Sequence, residues 1–151
     1  MCGLGFLLLA GTMLSEANRN SVNSFDNYTL AYRDAHQAKK PMLVILNPDA
    51  KSSEHPATLA DVAKTKHRRE LLQNFVVVLV DTNTPHGKTM HDLFGSAKLP
   101  RVVVIDRDQR WQLFQTSRQL QGEDWNRILE TFQTGDADAS LNLDVEEWCP
   151  T

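Results

Sequence analysis

The sequence predicts an α/β domain in which helices cover both faces of a small mixed β-sheet. Three observations carry that prediction. Three short unbroken apolar runs, Met42 to Leu46, Phe75 to Val80 and Val102 to Ile105, have the length and β-branched content of strands buried on both faces. The segments before, between and after them repeat apolar residues at helical spacing. A polar Asp106-Arg107-Asp108-Gln109 turn joins the third run to an alternating segment, as in an antiparallel hairpin.

Taken in order, residues 18 to 23 are polar and linker-like. Ser24 is the expected N-cap of a helix over 25 to 38, with Phe25, Tyr28, Tyr32 and Ala35 on one face. Lys39, Lys40 and Pro41 end it, the cations lying near its negative pole. The first strand, Met42 to Leu46, is followed by a polar loop, Asn47 to Pro56. A second helix is expected over 57 to 73. Its apolar side is Leu59, Val62, Ala63, Leu71 and Leu72, and its wet side Lys64, Lys66, His67, Arg68 and Arg69. The second strand ends in Asp81. A turn-rich loop, Thr82 to Gly87, leads to a short helix over 88 to 95, and Leu99-Pro100 precedes the third strand. Arg110 to Thr116 alternates Trp111, Leu113 and Gln115 against polar neighbours, as an edge strand does. Gly122 precedes a last helix over 123 to 133, striped by Trp125, Ile128, Leu129 and Phe132. Trp111 and Trp125 are both expected in the core. The order is αβαβαββα; its βαβ portion requires parallel neighbours joined by a right-handed crossover.

The totals fit one domain. The chain has 151 residues, 41% hydrophobic and 23% charged, with a formal net charge of -3. A chain of this size buries a sufficient core without a metal or disulfide. The absence of a polybasic character argues against nucleic acid as a partner. The basic run Lys64 to Arg69 reads as a solvated helix face.

The two ends have their own signals. Leu4 to Leu14 is an apolar run, shorter than the about 20 residues a spanning helix needs, and Ser15-Glu16-Ala17 offers small residues for a signal peptidase. Residues 1–17 are therefore expected to be a signal peptide cleaved after Ala17, although the segment before the run lacks Lys and Arg. The alternative is an apolar N-terminal helix packed on the domain. Thr12 stands where a lipobox needs cysteine, so no stable membrane anchor is expected after cleavage. Export would place the protein in a periplasmic or extracellular compartment; if the N-terminal segment is not a signal, the expected location is cytoplasmic. Residues 18–134 form the domain, and 135–151 an acidic tail with Asp136, Asp138, Asp144, Glu146 and Glu147.

Ala38-Lys39-Lys40-Pro41-Met42-Leu43-Val44, Asn74 to Asp81 and Leu99-Pro100-Arg101 to Asp106, in that order and spacing, resemble the thioredoxin superfamily. The resemblance spans residues 25 to 133. It implies a thioredoxin-like three-layer α/β/α sandwich and a cis peptide bond at Pro100. It also implies a redox centre, two cysteines two residues apart, after the first core strand. There the helix N-terminus lowers the pKa of the attacking thiol and the second thiol resolves the mixed disulfide. The corresponding stretch, Ala50-Lys51-Ser52-Ser53-Glu54-His55, has no cysteine, and the chain's only cysteines are Cys2 and Cys149. The buried acid that the resemblance implies in the first strand is likewise replaced by Met42-Leu43-Val44-Ile45-Leu46.

Other chemistry is weakly signalled. Ser52 or Ser53 with His55 and Glu54 has the residue types of a nucleophile, base and orienter, but the same residues commonly cap helix starts. Trp148-Cys149-Pro150 lies in the acidic tail without a second cysteine. No Cys/His pair has zinc-ligand spacing, and His86 and His91 are five apart, which is not same-face spacing. No metal and no cofactor is expected. The expected function is a redox-inactive binding module for a protein or extended peptide. Its surface is formed by Asp49 to His55, with Lys51, Ser52, Ser53, Glu54 and His55 as binding residues, and by Lys98 to Arg101, with Leu99 and Pro100. The alternatives are thiol chemistry through Cys149 and a structural domain of an exported assembly.

Overall fold

The computed structural model describes residues 22–48 and 55–138. The expected signal segment, both cysteines, the Asp49 to Glu54 stretch and the tail beyond Asp138 lie outside the described residues. Within them the elements are β1 (Ser24–Phe25), α1 (Tyr28–Ala38), β2 (Met42–Asn47), α2 (Leu59–Val62), α3 (Lys66–Leu72), β3 (Val76–Asp81), α4 (Pro85–Leu93), β4 (Arg101–Ile105), β5 (Gln112–Thr116) and α5 (Gly122–Phe132).

The strands form one sheet in the order β1-β3-β2-β4-β5. β2 is central: it runs parallel to β3, with Val44 opposite Val78, and antiparallel to β4, with Val44 opposite Val103. Met42 to Leu46 are all fully buried, which explains why this run shows no polar alternation. The two-residue period of a strand then sorts the sheet's side chains between two cores. Leu43, Ile45, Val77, Val102 and Val104 meet Val62 of α2, Leu71 and Leu72 of α3, and Trp125, Ile128, Leu129 and Phe132 of α5. Met42, Val44, Leu46, Val76, Val78, Val103 and Ile105 meet Ala31 and Ala35 of α1 and Phe94 at the end of α4. The result is the expected three-layer α/β/α sandwich.

Several expectations are corrected. Ser24 does not cap the first helix. Ser24 and Phe25 pair in parallel with Val77 and Val78, covering the outer edge of β3. The cap passes to Asn27, whose side chain accepts the Leu30 N–H at 3.1 Å. The helix expected over 57–73 is two. Thr58 and Thr65 each accept an N–H three residues on, from Asp61 and Arg68, so each starts its own helix. Arg69 Nη1 donates to the Ala63 carbonyl at 3.1 Å, satisfying an acceptor that the break exposes. Arg68, assigned to the wet side, is 6% exposed. The helix expected over 88–95 starts at Pro85, with Thr84 as cap, because proline has no N–H to waste at the first helical position.

Trp111, expected inside, is 63% exposed. The cause is a register shift between Val104 and Ile105: Val104 faces Phe114 while Ile105 faces Gln112. The extra residue is Leu113, so Leu113 and Phe114 both enter the core beside α5 and the alternation fails. Trp125, by contrast, is buried as expected. The hairpin turn is held by Asp106, whose carboxylate accepts the N–H groups of Arg110 at 2.6 Å and Trp111 at 2.8 Å.

Candidate functional site

The carboxyl end of β2 opens into a cleft, and Asn47 organises its rim. The Asn47 amide donates to the Ala57 carbonyl at 2.9 Å, and its oxygen accepts the Ala57 N–H at 2.8 Å. The Asn47 carbonyl in turn accepts the Thr82 hydroxyl at 2.8 Å. One side chain thus fixes where the chain re-enters α2. Thr58 and Asp61 complete that entry: the Thr58 N–H and hydroxyl donate to the Asp61 carboxylate at 3.1 and 2.6 Å. These two hydrogen bonds, helped by Lys64, hold the Asp61 carboxyl below its ordinary value of 3.8.

Across the cleft lies the Lys98 to Arg101 segment. The Leu99–Pro100 peptide bond is cis, as the resemblance implied. Pro100 is buried, and Leu99 packs against the core on the α1/α4 side. Leu99 enters none of the turn and loop backbone hydrogen bonds among the described residues. The third wall is the β5–α5 connection, Arg118 to Gly122, which ends where the Gln121 N–H donates to Asp124 at 2.8 Å. Arg118 pairs with the same carboxylate group at 2.9 Å. The cleft has a volume of about 340 Å³, and Arg68 and Trp125 reach it from α3 and α5.

Of the residues expected to bind, His55 and Pro100 line this one cleft. Leu99 lies beside Pro100 but turns to the other core. Lys51, Ser52, Ser53 and Glu54 lie outside the described residues. Sequence reasoning missed Asn47, Asp61, Arg68 and the Arg118 to Gly122 wall. Asn47 was legible as a polar residue closing an apolar run. The wall carries no motif and is recruited by topology alone.

The remaining histidines are engaged elsewhere. His86 Nε2 accepts the Tyr28 N–H at 3.1 Å, His91 Nε2 lies 2.8 Å from the Ala97 carbonyl, His36 Nδ1 lies 3.0 Å from Gln109, and His67 pairs with Glu130 at 2.7 Å. Among the described residues no three His, Cys, Asp or Glu side chains are gathered as a metal site requires. Tyr28, half-buried against Phe94, has its phenol pushed above the usual 10.0 by burial and by Tyr32. Among the described residues no helix is long and apolar enough to cross a membrane.

This sheet order, with helices on both faces and the cis-proline segment at the carboxyl end of β2, is a thioredoxin-like fold. The solved structures agree. The chain is similar to a thioredoxin from Thermus thermophilus at 16% identity, covering 73% of this chain and 86% of that one with a TM-score of 0.55. It is similar to chloroplastic thioredoxin z at 14% identity, covering 76% and 99% with a TM-score of 0.53. A DsbH oxidoreductase matches at 11% identity, covering 88% and 94%, also with a TM-score of 0.53. No protein-family model matches the sequence, and no curated protein does.

Proposed function

We propose that this domain is a redox-inactive thioredoxin-like module that holds an extended segment of a partner protein in the cleft between His55, Pro100 and the Arg118 to Gly122 wall. The observation that carries the reading is the cleft itself. It is about 340 Å³, open at the carboxyl end of the central strand, and flanked by Leu99, whose peptide groups are uncommitted among the described residues. An extended peptide laid along that segment gains main-chain hydrogen bonds, and the cleft takes a side chain. Residues 3 to 148 contain no cysteine, so the dithiol exchange of a thioredoxin has no nucleophile within the domain.

Two measurements test this. Titration of the ¹⁵N-labelled protein with extended peptides is expected to shift the Leu99, Arg101 and Gly122 amides; unchanged shifts there sink the binding reading. In an insulin-reduction assay with dithiothreitol, the protein is expected to give no acceleration over reductant alone. Acceleration that disappears in Cys149→Ser would replace the module by a single-thiol enzyme.

A further inference from the structure

The cleft has an unbalanced charge. Arg68 is 6% exposed, yet its guanidinium meets only neutral acceptors: Nε donates to the Asn126 side-chain oxygen at 2.9 Å and Nη1 to the Asp61 carbonyl at 3.0 Å. No carboxylate pairs with it among the described residues. Arginine cannot shed its proton, and a buried cation without a counter-charge is costly. Its remaining nitrogen, Nη2, donates to no described residue and lies beside Gly122: a Cβ built there would stand 3.2 Å from it. Lys64 also lines the cleft; it attracts the Asp61 carboxylate, although no ion pair joins it to a carboxylate among the described residues. The other charges on the walls are already committed. Arg118 faces Asp124, and the Asp61 carboxylate is hydrogen-bonded by Thr58 and offset by Lys64, which leaves Arg68 as the cation of the walls with no counter-charge among the described residues.

We infer that the cleft selects partner segments carrying an acidic side chain, whose carboxylate is received by Arg68 Nη2 with Lys64 at the rim. The inference rests on the peptide-binding reading above and names its specificity. One nitrogen at the cleft suits a single carboxylate oxygen, a charge-assisted hydrogen bond made away from bulk water. The glycine at position 122 keeps the approach to that nitrogen open.

The test uses the full chain and three N-acetylated, C-amidated nonapeptides of Ser, Thr and Val, identical except for a central Glu, Gln or phosphoserine. The Glu peptide is expected to bind about tenfold tighter than the Gln peptide and to shift the Arg68 Nε–Hε resonance. Lys64→Gln, an exposed change, is expected to reduce that preference. Gly122→Ala, which crowds Nη2 by a few tenths of an ångström without removing the buried guanidinium, is expected to weaken it while the spectrum stays dispersed. Equal binding of Glu and Gln, with the Leu99 and Arg101 amides shifted, overturns acidic selection and leaves peptide binding standing. No shift with any peptide overturns both. Tight binding of phosphoserine alone, with Glu no better than Gln, overturns the carboxylate assignment and gives the site to phosphate. A Glu preference untouched by Gly122→Ala removes Arg68 from it.

Discussion

Gly87 stands in the first turn of α4, where that helix begins against the end of β3. A Cβ at this position would lie 1.9 Å from the Asp81 carbonyl oxygen and 2.8 Å from Thr82 Cα, both backbone atoms that cannot swing aside. Gly87→Ala is therefore expected to destabilise the fold by about 1–3 kcal/mol or more, the range for overpacking a tight site, although alanine favours helices. Urea denaturation checks it; a variant as stable as the parent would mean that α4 can lift off β3 at no cost. Asn47 acts by hydrogen bonds instead. Asn47→Ala strands both the N–H and the carbonyl of Ala57, and a loss of about 1–3 kcal/mol is expected, with the amide shifts of Ala57 and Thr82 moving most. Neither role was legible in advance. A glycine in a polar loop and an asparagine after a strand each have many uses, and only the meeting of β2, β3, α2 and α4 selects one.

The pair Thr58 and Thr65 governs the elements behind the cleft. The apolar positions Leu59, Val62, Leu71 and Leu72 are legible as helical, but they do not say whether one helix or two carries them. The two threonine caps decide it, and the break lets Arg68 turn inward to Asp61 and Asn126. The strand cores and α5 were legible because burial on one or both faces leaves an apolar signature. Trp111 was misplaced because a bulge leaves none: Leu113 and Phe114 share a face only once Val104 and Ile105 define the register. At the start of α2 the capping box makes stability depend on pH. The folded state holds the Asp61 carboxyl below 3.8, so its contribution is fully present above that value and is lost as pH falls through the lower folded value. The stability difference between the parent and Asp61→Asn is expected to be constant from about pH 7 to 5 and to shrink below about pH 4. A difference that grows on acidification would contradict the assigned hydrogen bonds.

On the scale of the whole molecule, the sheet is a partition. Odd-numbered residues of β2 serve the core under α2, α3 and α5, and even-numbered ones the core under α1 and α4, so the two cores share a backbone but few side-chain contacts. The cleft lies on the first side, fed by α2, α3, the cis-proline segment and the β5–α5 connection, while Leu99 anchors that segment in the second. This division predicts how damage combines. Ile128→Val trims the first core and Ile105→Val the second, each by one methylene, and each is expected to cost about 0.5–1.5 kcal/mol. Because the sheet separates the sites, the double variant is expected to lose the sum to within about 0.3–0.5 kcal/mol in urea denaturation. A larger coupling would mean that strain passes through β4 and α5 as one packed body. Changes around Ile105 and Leu99 would then reach the cleft wall at Pro100. Additive costs would instead allow the α1/α4 side to be altered while the cleft keeps its shape.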